Sequence, residues 1–318
     1  MKNNDSLLGI APAVFLGKIL KDIAEGNECF TLMYSDCAQR IGIDELIAEH
    51  PEKCIQCGIA EQNQIAASAA LALEGQLVFA VAYAPFITAR VLDQIRVFLG
   101  YMESPVILVG LAAGFGGGDL GATHTALEDV ASIRTIPGID IISPSGNTEL
   151  MAAVTDLASN PRPAYIRVPA ANVDLGVDNN DSFYKPGKAA IIRQGTDVAF
   201  VSTGSLTLQA VLASKLLQEK GISCSVIHMA TLVPFDEDCM HTQINARYIV
   251  TLEEHAKTGG LGGIVAEYLS GYTTHPKLIR LGSKSAYAKA DTPDKLIHGA
   301  GLSSSEIVKR VATLFGNE

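Results

Sequence analysis

The sequence predicts an α/β protein built from two doubly wound, mostly parallel-sheet domains. Short apolar runs alternate with helical patterns along the whole chain, which is typical of parallel-sheet folds. The length of 318 residues suggests about two domains of ordinary size. A polar, turn-prone stretch at 171–187 separates two such series. We therefore expect domains at 1–170 and 188–318, with a linker at 171–187.

In the first domain, helices are expected where apolar residues recur with a helical period, and strands where short apolar runs are bounded by turn residues. The predicted helices cover 10–25, 44–49, 61–73, 86–101, 126–134 and 148–159. The predicted strands cover 29–34, 53–57, 77–82, 106–111, 139–142 and 164–168. The run at 106–111 is almost purely β-branched and Leu, which suits the middle of a parallel sheet.

The second domain repeats the alternation on a smaller scale. Its predicted strands cover 197–202, 223–228, 247–252 and 277–281, and its predicted helices cover 207–220, 262–270 and 304–315. Such strand–helix–strand units imply right-handed crossovers and a second doubly wound sheet.

Composition narrows the class of protein. Lys and Arg number 24 against 34 Asp and Glu, so the formal net charge is −10, and neither nucleic acid nor an anionic membrane surface is an expected partner. No apolar run reaches the ~18 residues of a membrane helix. Residues 1–5 lack the apolar core of a signal peptide, and six scattered cysteines do not form a disulfide framework. We expect a cytoplasmic protein.

Two cysteines, Cys54 and Cys57, have the spacing of a redox or zinc pair. A zinc site needs a second pair of ligands, and a redox pair should open a helix, which lowers the pKa of one thiol. Here the pair lies on a predicted strand, so a structural role is the favoured interpretation.

The segment 116–121 matches the GxGxxG pattern of dinucleotide sites, with Asp140 about twenty residues later. The glycines do not follow the strand directly, however, and Asp140 stands where a strand begins. A ribose-binding acid belongs at the carboxyl end of a strand. Nicotinamide binding is therefore the weaker alternative for this loop.

Glu61 opens a predicted helix that is otherwise rich in Ala and Ile, directly after a strand. A buried carboxyl can donate a strong hydrogen bond to a ring nitrogen or take part in proton transfer. Stabilisation of the Glu61 carboxylate by the helix dipole explains its position equally well from the residues alone.

His124 follows the glycine loop at the carboxyl end of a strand, where the functional sites of α/β proteins are found, although a helix-capping role also fits it.

Several ordered segments resemble the transketolase family. They are Pro51 to Gln62 with its Gly-Ile-Ala-Glu-Gln ending, Ala82 to Phe86 leading into Arg90 and Asp93 to Arg96, Gly121 to His124 with Glu128, Asp129 and Arg134, Ser143 to Ser145, Tyr165 to Arg167, and Leu252 to Gly262. The resemblance covers nearly all of the chain. It implies a pyrimidine-binding domain at 1–170 and a transketolase C-terminal domain at 188–318.

The resemblance also implies thiamine diphosphate as cofactor, and it assigns roles to individual residues. Glu61 would hydrogen-bond the pyrimidine ring nitrogen, Phe86 and Tyr83 would stack on that ring, and Asp36 would lie near the thiazolium. His124 would handle substrate protons as a two-carbon ketol unit passes from a ketose to an aldose. Arg167 and Arg40 would contact the substrate.

The domain that binds the diphosphate and the metal in this family has no counterpart in the chain. Gly118-Asp119 resembles the start of the metal–diphosphate motif, but Leu120 stands where its next glycine should be. The resemblance therefore implies the C-terminal subunit of a split transketolase, with Mg²⁺ ligands on a separate N-terminal subunit and an α2β2 assembly. No metal ligand is assigned to this chain.

Departures from the family pattern concern the substrate. Ala13, Ala112 and Leu120 stand where family members acting on sugar phosphates have Arg, His and an acid. We expect a specialised sugar substrate. The alternatives are a β-subunit of a 2-oxo-acid dehydrogenase complex, a deoxyxylulose-phosphate-synthase-like enzyme, and a regulatory subunit without catalysis.

Overall fold

The computed structural model describes residues 9–173, 175, 184–284 and 286–316, and it contains two sheets flanked by helices. The N-terminal segment 1–5 and most of the predicted linker lie outside these ranges. The described strands are β1 Phe30–Tyr34, β2 Cys54–Gln56, β3 Leu77–Tyr83, β4 Ile107–Leu111, β5 Asp140–Ile142, β6 Ala164–Arg167, β7 Ala190–Arg193, β8 Val198–Ser202, β9 Cys224–His228, β10 Thr231–Val233, β11 Tyr248–Ala256 and β12 Lys277–Ser283.

The α-helices range from single turns to fifteen residues. They are α1 Pro12–Gly26, α2 Ala38–Ile41, α3 Asp44–Glu49, α4 Glu61–Leu73, α5 Ala84–Ile87, α6 Leu92–Gln94, α7 Asp129–Ile133, α8 Asn147–Ser159, α9 Leu206–Gln218, α10 Glu237–His241, α11 Leu261–Leu269, α12 Pro293–Gly299 and α13 Ser304–Gly316. In α1, Pro12 occupies the first turn, where its missing N–H is not needed, and Phe15, Leu16, Ile19 and Leu20 form the buried face.

The first sheet has seven strands in the order β10-β5-β6-β4-β3-β1-β2, and all of its pairings are parallel except the one between β10 and β5. Strand β4 lies in the middle and is buried along its whole length, as its β-branched and Leu composition predicts. The second sheet has the order β12-β11-β8-β9-β7, with β7 antiparallel at one edge. The predicted α/β class with two mostly parallel sheets is confirmed.

Strand β10 belongs to the second half of the chain but completes the first sheet. Thr231 pairs with Ile142 and Val233 with Ile141. The main apolar core also combines side chains of both halves, including Ile141 and Leu232. The two halves are therefore joined by backbone hydrogen bonds as well as by packing.

The long helix predicted at 86–101 was wrong. The chain instead forms α5, a 3₁₀ turn at Ala89–Val91, α6 and a π-helix at Ile95–Tyr101. The Thr88 hydroxyl donates to the Ala84 carbonyl at 2.6 Å, which replaces a helical backbone bond and permits the turn.

Among the residues that the structure describes, no helix combines the length and the apolar character needed to cross a membrane.

Candidate active site

Four of the side chains singled out in the sequence converge at the carboxyl edge of the first sheet. Tyr83 ends β3, Phe86 lies in α5 just beyond it, and Glu61 is the first residue of α4. His124 approaches from the loop that follows β4. This is the edge at which ligands bind in open α/β sheets.

The three rings of this group contact one another edge to face. The His124 ring centroid lies 5.3 Å from that of Tyr83 and 5.0 Å from that of Phe86, and the two aromatic rings are 6.2 Å apart. Edge-to-face pairs at such distances are favourable because the positive ring edge meets the negative ring face. The Thr123 hydroxyl lies 3.0 Å from His124 Nδ1 and helps to orient the imidazole.

Glu61 is buried, with a side chain only 3% exposed, and Arg90 is its partner. Arg90 Nη1 donates to Glu61 Oε2 at 2.7 Å. The same guanidinium lies over the face of Phe86, with its central carbon 3.9 Å from the ring centroid. Arg90 therefore makes an ion pair and a cation–π contact at once. It was not predicted as a site residue.

Beside this cluster a cleft of about 700 Å³ opens, and Tyr83 also lines it. Asp36 and Arg40, both exposed, contribute charged groups of opposite sign to its wall. Asp36 has a φ of +37°, a left-handed conformation that Asp tolerates better than most residues. The cleft thus combines an aromatic edge with groups suited to a polar ligand.

Arg167 lies apart from the cleft, in a buried network between the two domains. Its Nε donates to Asp129 Oδ2 at 2.7 Å, and its Nη2 donates to Asp129 Oδ1 at 3.3 Å and to the Glu254 carbonyl at 3.0 Å. Burial alone would raise the pKa of Asp129, but the charge of the Arg167 guanidinium holds it below its usual value. Arg167 also lines a small cavity between the domains, together with Ser205 and Glu254.

A second buried network joins Glu149 to His228 across the domains. His228 Nε2 lies 2.8 Å from Glu149 Oε2, which also accepts bonds from the backbone N–H and the hydroxyl of Ser145. The pKa of Glu149 is lowered, because burial, which would raise it, is outweighed by His228. These contacts give His228 a structural role.

Glu253 and His255 also lie inside the interdomain region. Burial raises the pKa of Glu253 to about 7, even though its carboxylate accepts the N–H groups of Leu261 and Gly262 at the start of α11. Burial lowers the pKa of His255, whose Nε2 accepts the Ala131 N–H. A neutral imidazole suits this acceptor role, and these contacts give His255 a structural role.

The cysteine pair lacks the features of a redox site. Burial raises the pKa of the Cys54 thiol to about 11 and raises that of Cys57 above its usual value. A reactive thiol needs the opposite shift. The structural interpretation of this pair is thus favoured.

The glycine loop is close-packed against the second domain. A Cβ on Gly117 would collide with the His124 carbonyl oxygen, and one on Gly118 would collide with Leu296 Cδ1. Asp140, proposed for a ribose in the nicotinamide alternative, accepts instead from Arg162 Nε at 2.6 Å. These glycines are explained by packing, and this loop places His124.

Comparisons with known proteins agree with this geometry. The model of the transketolase pyrimidine-binding domain matches residues 10–174, and that of the transketolase C-terminal domain matches residues 187–307. A protein of Methanocaldococcus jannaschii described as a transketolase C-terminal section is 30% identical over 93% of each chain. One subunit of the apulose-4-phosphate transketolase of Phocaeicola vulgatus is 35% identical over 79% of this chain and 81% of its own. A 6-deoxy-6-sulfo-D-fructose transketolase subunit of Clostridium sp. is 31% identical over 92% and 90%.

Solved structures give the same relationship. A split-gene transketolase titled as an inactive β4 tetramer superposes with a TM-score of 0.86 at 30% identity, covering 96% of this chain and 98% of its own. The transketolase of Leishmania mexicana shares the fold, with a TM-score of 0.80 at 21% identity over 95% of this chain and 45% of its own. The chain therefore belongs to the transketolase family, of which it contains the pyrimidine-binding and C-terminal domains.

Proposed function

We propose that this chain is the C-terminal subunit of a split transketolase, which moves a two-carbon ketol unit from a ketose to an aldose once a partner chain is bound. The observation that carries the proposal is the convergence of Glu61, Phe86 and His124 at one sheet edge. A regulatory subunit without catalysis would have no need to keep a buried carboxyl, an aromatic face and a half-buried imidazole together.

The residues fit the aminopyrimidine of thiamine diphosphate, the cofactor that membership of this family implies. Phe86 offers a ring face, and the 3%-exposed carboxyl of Glu61 offers a polar atom beside it. A flat heteroaromatic ring needs this combination of stacking surface and in-plane hydrogen bond. When bound, the cofactor supplies the carbon that carries the ketol unit.

In the proposed division of labour, Glu61 holds a proton shared with the ring nitrogen of the pyrimidine. Phe86 and Tyr83 fix the plane of that ring. His124 gives and takes protons at substrate hydroxyl and carbonyl oxygens, a task suited to an imidazole in a loop at the mouth of a cleft. Asp36, in the wall of the cleft, would lie near the thiazolium.

Substrate recognition is proposed for the cleft and the neighbouring loop. Arg40 supplies a cation in the wall of the cleft, and His124 lies at its edge through its contact with Tyr83. A substrate contact by Arg167 stays a prediction that would involve the small interdomain cavity. Ala13, Ala112 and Leu120 favour a specialised sugar. Relatives named for apulose 4-phosphate and for sulfofructose support that choice.

We further propose a separate N-terminal subunit that carries the diphosphate domain and Mg²⁺ ligands, an α2β2 assembly, and a cytoplasmic location. Relatives that are themselves described as subunits or sections support a separate partner. The β4 tetramer of one relative is described as inactive, which supports a need for that partner. Deoxyxylulose-phosphate synthases are also similar, but this chain spans about half of their length or less.

Native mass spectrometry of the untagged chain from its own cells tests the assembly. A complex with a second chain, thiamine diphosphate and Mg²⁺ is expected. A cofactor-free assembly of this chain alone would contradict the enzymatic role. The purified complex should then turn over xylulose 5-phosphate with ribose 5-phosphate poorly, and turnover at ordinary transketolase efficiency would overturn the specialised-substrate proposal.

A further inference from the structure

Arg90 makes both of the contacts that the proposed function reserves for the cofactor ring. Its guanidinium covers one face of Phe86 at 3.9 Å and donates to Glu61 Oε2 at 2.7 Å. The same two protein groups, a ring face and a carboxylate, would receive the aminopyrimidine. Two flat groups cannot occupy one face of a ring at the same time, so the guanidinium and the aminopyrimidine exclude each other on this face of Phe86.

The guanidinium is also chemically close to that ring. It is flat and delocalised, and its N–H donors lie in its own plane. A protonated aminopyrimidine has the same three properties, because its positive charge is shared through the ring between a ring nitrogen and the amino group, and its N–H donors lie in the ring plane. The pocket formed by Glu61 and Phe86 can therefore bind either cation with the same geometry.

The exposure of the two partners differs in the way that an exchange requires. The Glu61 side chain is 3% exposed, whereas that of Arg90 is 35% exposed. A carboxylate at such depth is costly to leave alone, so it needs a partner whenever the cofactor is absent. Arg90 has the length and the solvent access to withdraw when a competing ring enters.

We propose that Arg90 is a placeholder for the cofactor: its guanidinium occupies the pyrimidine subsite in the free chain and is displaced when the aminopyrimidine binds. Glu61 thus exchanges one planar cationic donor for another and is never left unpaired. This inference rests on the proposed function, because it takes the subsite to be that of thiamine diphosphate.

The test is an isothermal titration of the full-length chain with 4-amino-5-hydroxymethyl-2-methylpyrimidine, which carries the ring without thiazolium or diphosphate. Arg90→Met removes the competing cation and keeps an unbranched side chain of similar reach. It should bind this probe about tenfold more tightly than the wild type, the effect of removing one competing charge-assisted hydrogen bond. Arg90→Lys keeps a charge but loses the plane, so its affinity should fall between the two.

Arg96→Met is the matched control, because Arg96 lies on the same segment and pairs with Asp93 at the surface. Its affinity for the probe should equal that of the wild type. If Arg90→Met is poorly folded, Arg90→Lys carries the test, because it keeps a charge beside Glu61 but cannot stack as a plane on Phe86, and it should still bind the probe more tightly than the wild type.

Unchanged or weaker binding of the probe by folded Arg90→Met would overturn the placeholder. If the wild-type complex nevertheless binds thiamine diphosphate and turns over, the proposed function stands alone. If no variant binds the probe and the complex binds no thiamine diphosphate, both proposals fall.

Discussion

Two arginine–carboxylate pairs in this molecule have the same closest distance and opposite surroundings. Arg90 lies 2.7 Å from Glu61, and Arg167 lies 2.7 Å from Asp129. The Arg90 side chain is 35% exposed and donates one hydrogen bond to that carboxylate. The Arg167 side chain is 5% exposed and donates to both oxygens of Asp129, to a carbonyl and toward the Ser143 hydroxyl.

The difference distinguishes the closed domain interface around Arg167 from the candidate ligand site around Arg90. At the domain interface, all three nitrogens of the Arg167 guanidinium donate hydrogen bonds, so any rearrangement would break several charge-assisted bonds at once. At the sheet edge, Arg90 is held by one such bond and one ring face, and solvent reaches it. A polar network built to stay closed uses its donors fully, whereas one built to receive a ligand leaves a partner that can be exchanged.

The largest effect is expected from Glu61→Gln in the assembled enzyme. The amide keeps the size of the side chain but cannot hold the shared proton, so turnover should fall about 1,000-fold. Steady-state kinetics and native mass spectrometry should show lost activity in an intact assembly. Glu74→Gln, at the far exposed end of α4, is the control and should keep full activity. Full activity in the Glu61 variant would contradict the mechanism.

Arg167→Met tests the closed junction through stability. It leaves the Asp129 carboxylate buried without its cationic partner, so the free energy of unfolding should fall by about 3–5 kcal/mol. Chemical denaturation of the chain measures this loss. Arg96→Met, which removes only an exposed pair, should change stability by less than ~0.5 kcal/mol. If Arg90→Met proved as destabilising as Arg167→Met, the distinction between the two pairs would fail.

The pH dependence of stability tests the same junction at Glu253. Its pKa is about 7 in the folded chain, above the usual 4.5, so its contribution is complete below pH 4.5 and is lost as the pH rises through 7. That loss is at most about 3 kcal/mol. Glu253→Gln stays neutral and should lack the loss, so the difference from wild type should grow from pH 4.5 to about 7.5. Unfolding curves that stay parallel over this range would speak against the assignment.

Phe86→Leu is expected to have the smallest effect. It keeps an apolar group but removes the ring face, so the assembled enzyme should bind thiamine diphosphate about fivefold more weakly. Equilibrium titration with Mg²⁺ present measures this affinity. Tyr101→Leu changes an aromatic residue that is 86% exposed on the same segment and should leave the affinity unchanged. Equal affinity in both variants would contradict a stacking role for Phe86.

Sequence reasoning gave the helices Asp44–Glu49 and Glu61–Leu73 with the observed bounds. It failed for the longest predicted helix, 86–101, which the structure interrupts. It missed the strands Ala190–Arg193 and Thr231–Val233, which are short, antiparallel and at sheet edges. Their pairing depends on distant strands, which no local pattern reveals.

The candidate site could be predicted in its parts but not in its pairings. Glu61, Phe86 and His124 followed from the family resemblance, and the fold brings them together. The partner of Glu61 could not be deduced, because Arg90 reaches it only where the predicted long helix is interrupted at Thr88. The buried position of Arg167 likewise depends on the second domain, which covers it through the Glu254 carbonyl.

The strand Thr231–Val233 has a consequence for where such a gene can divide. It comes from the second half of the chain and forms the edge strand of the first sheet. Neither half is therefore a complete domain without the other. A fission between them would expose the row of unpaired backbone groups along β5 to aggregation. During evolution, a coding sequence can therefore be broken ahead of this pair of domains far more safely than between them.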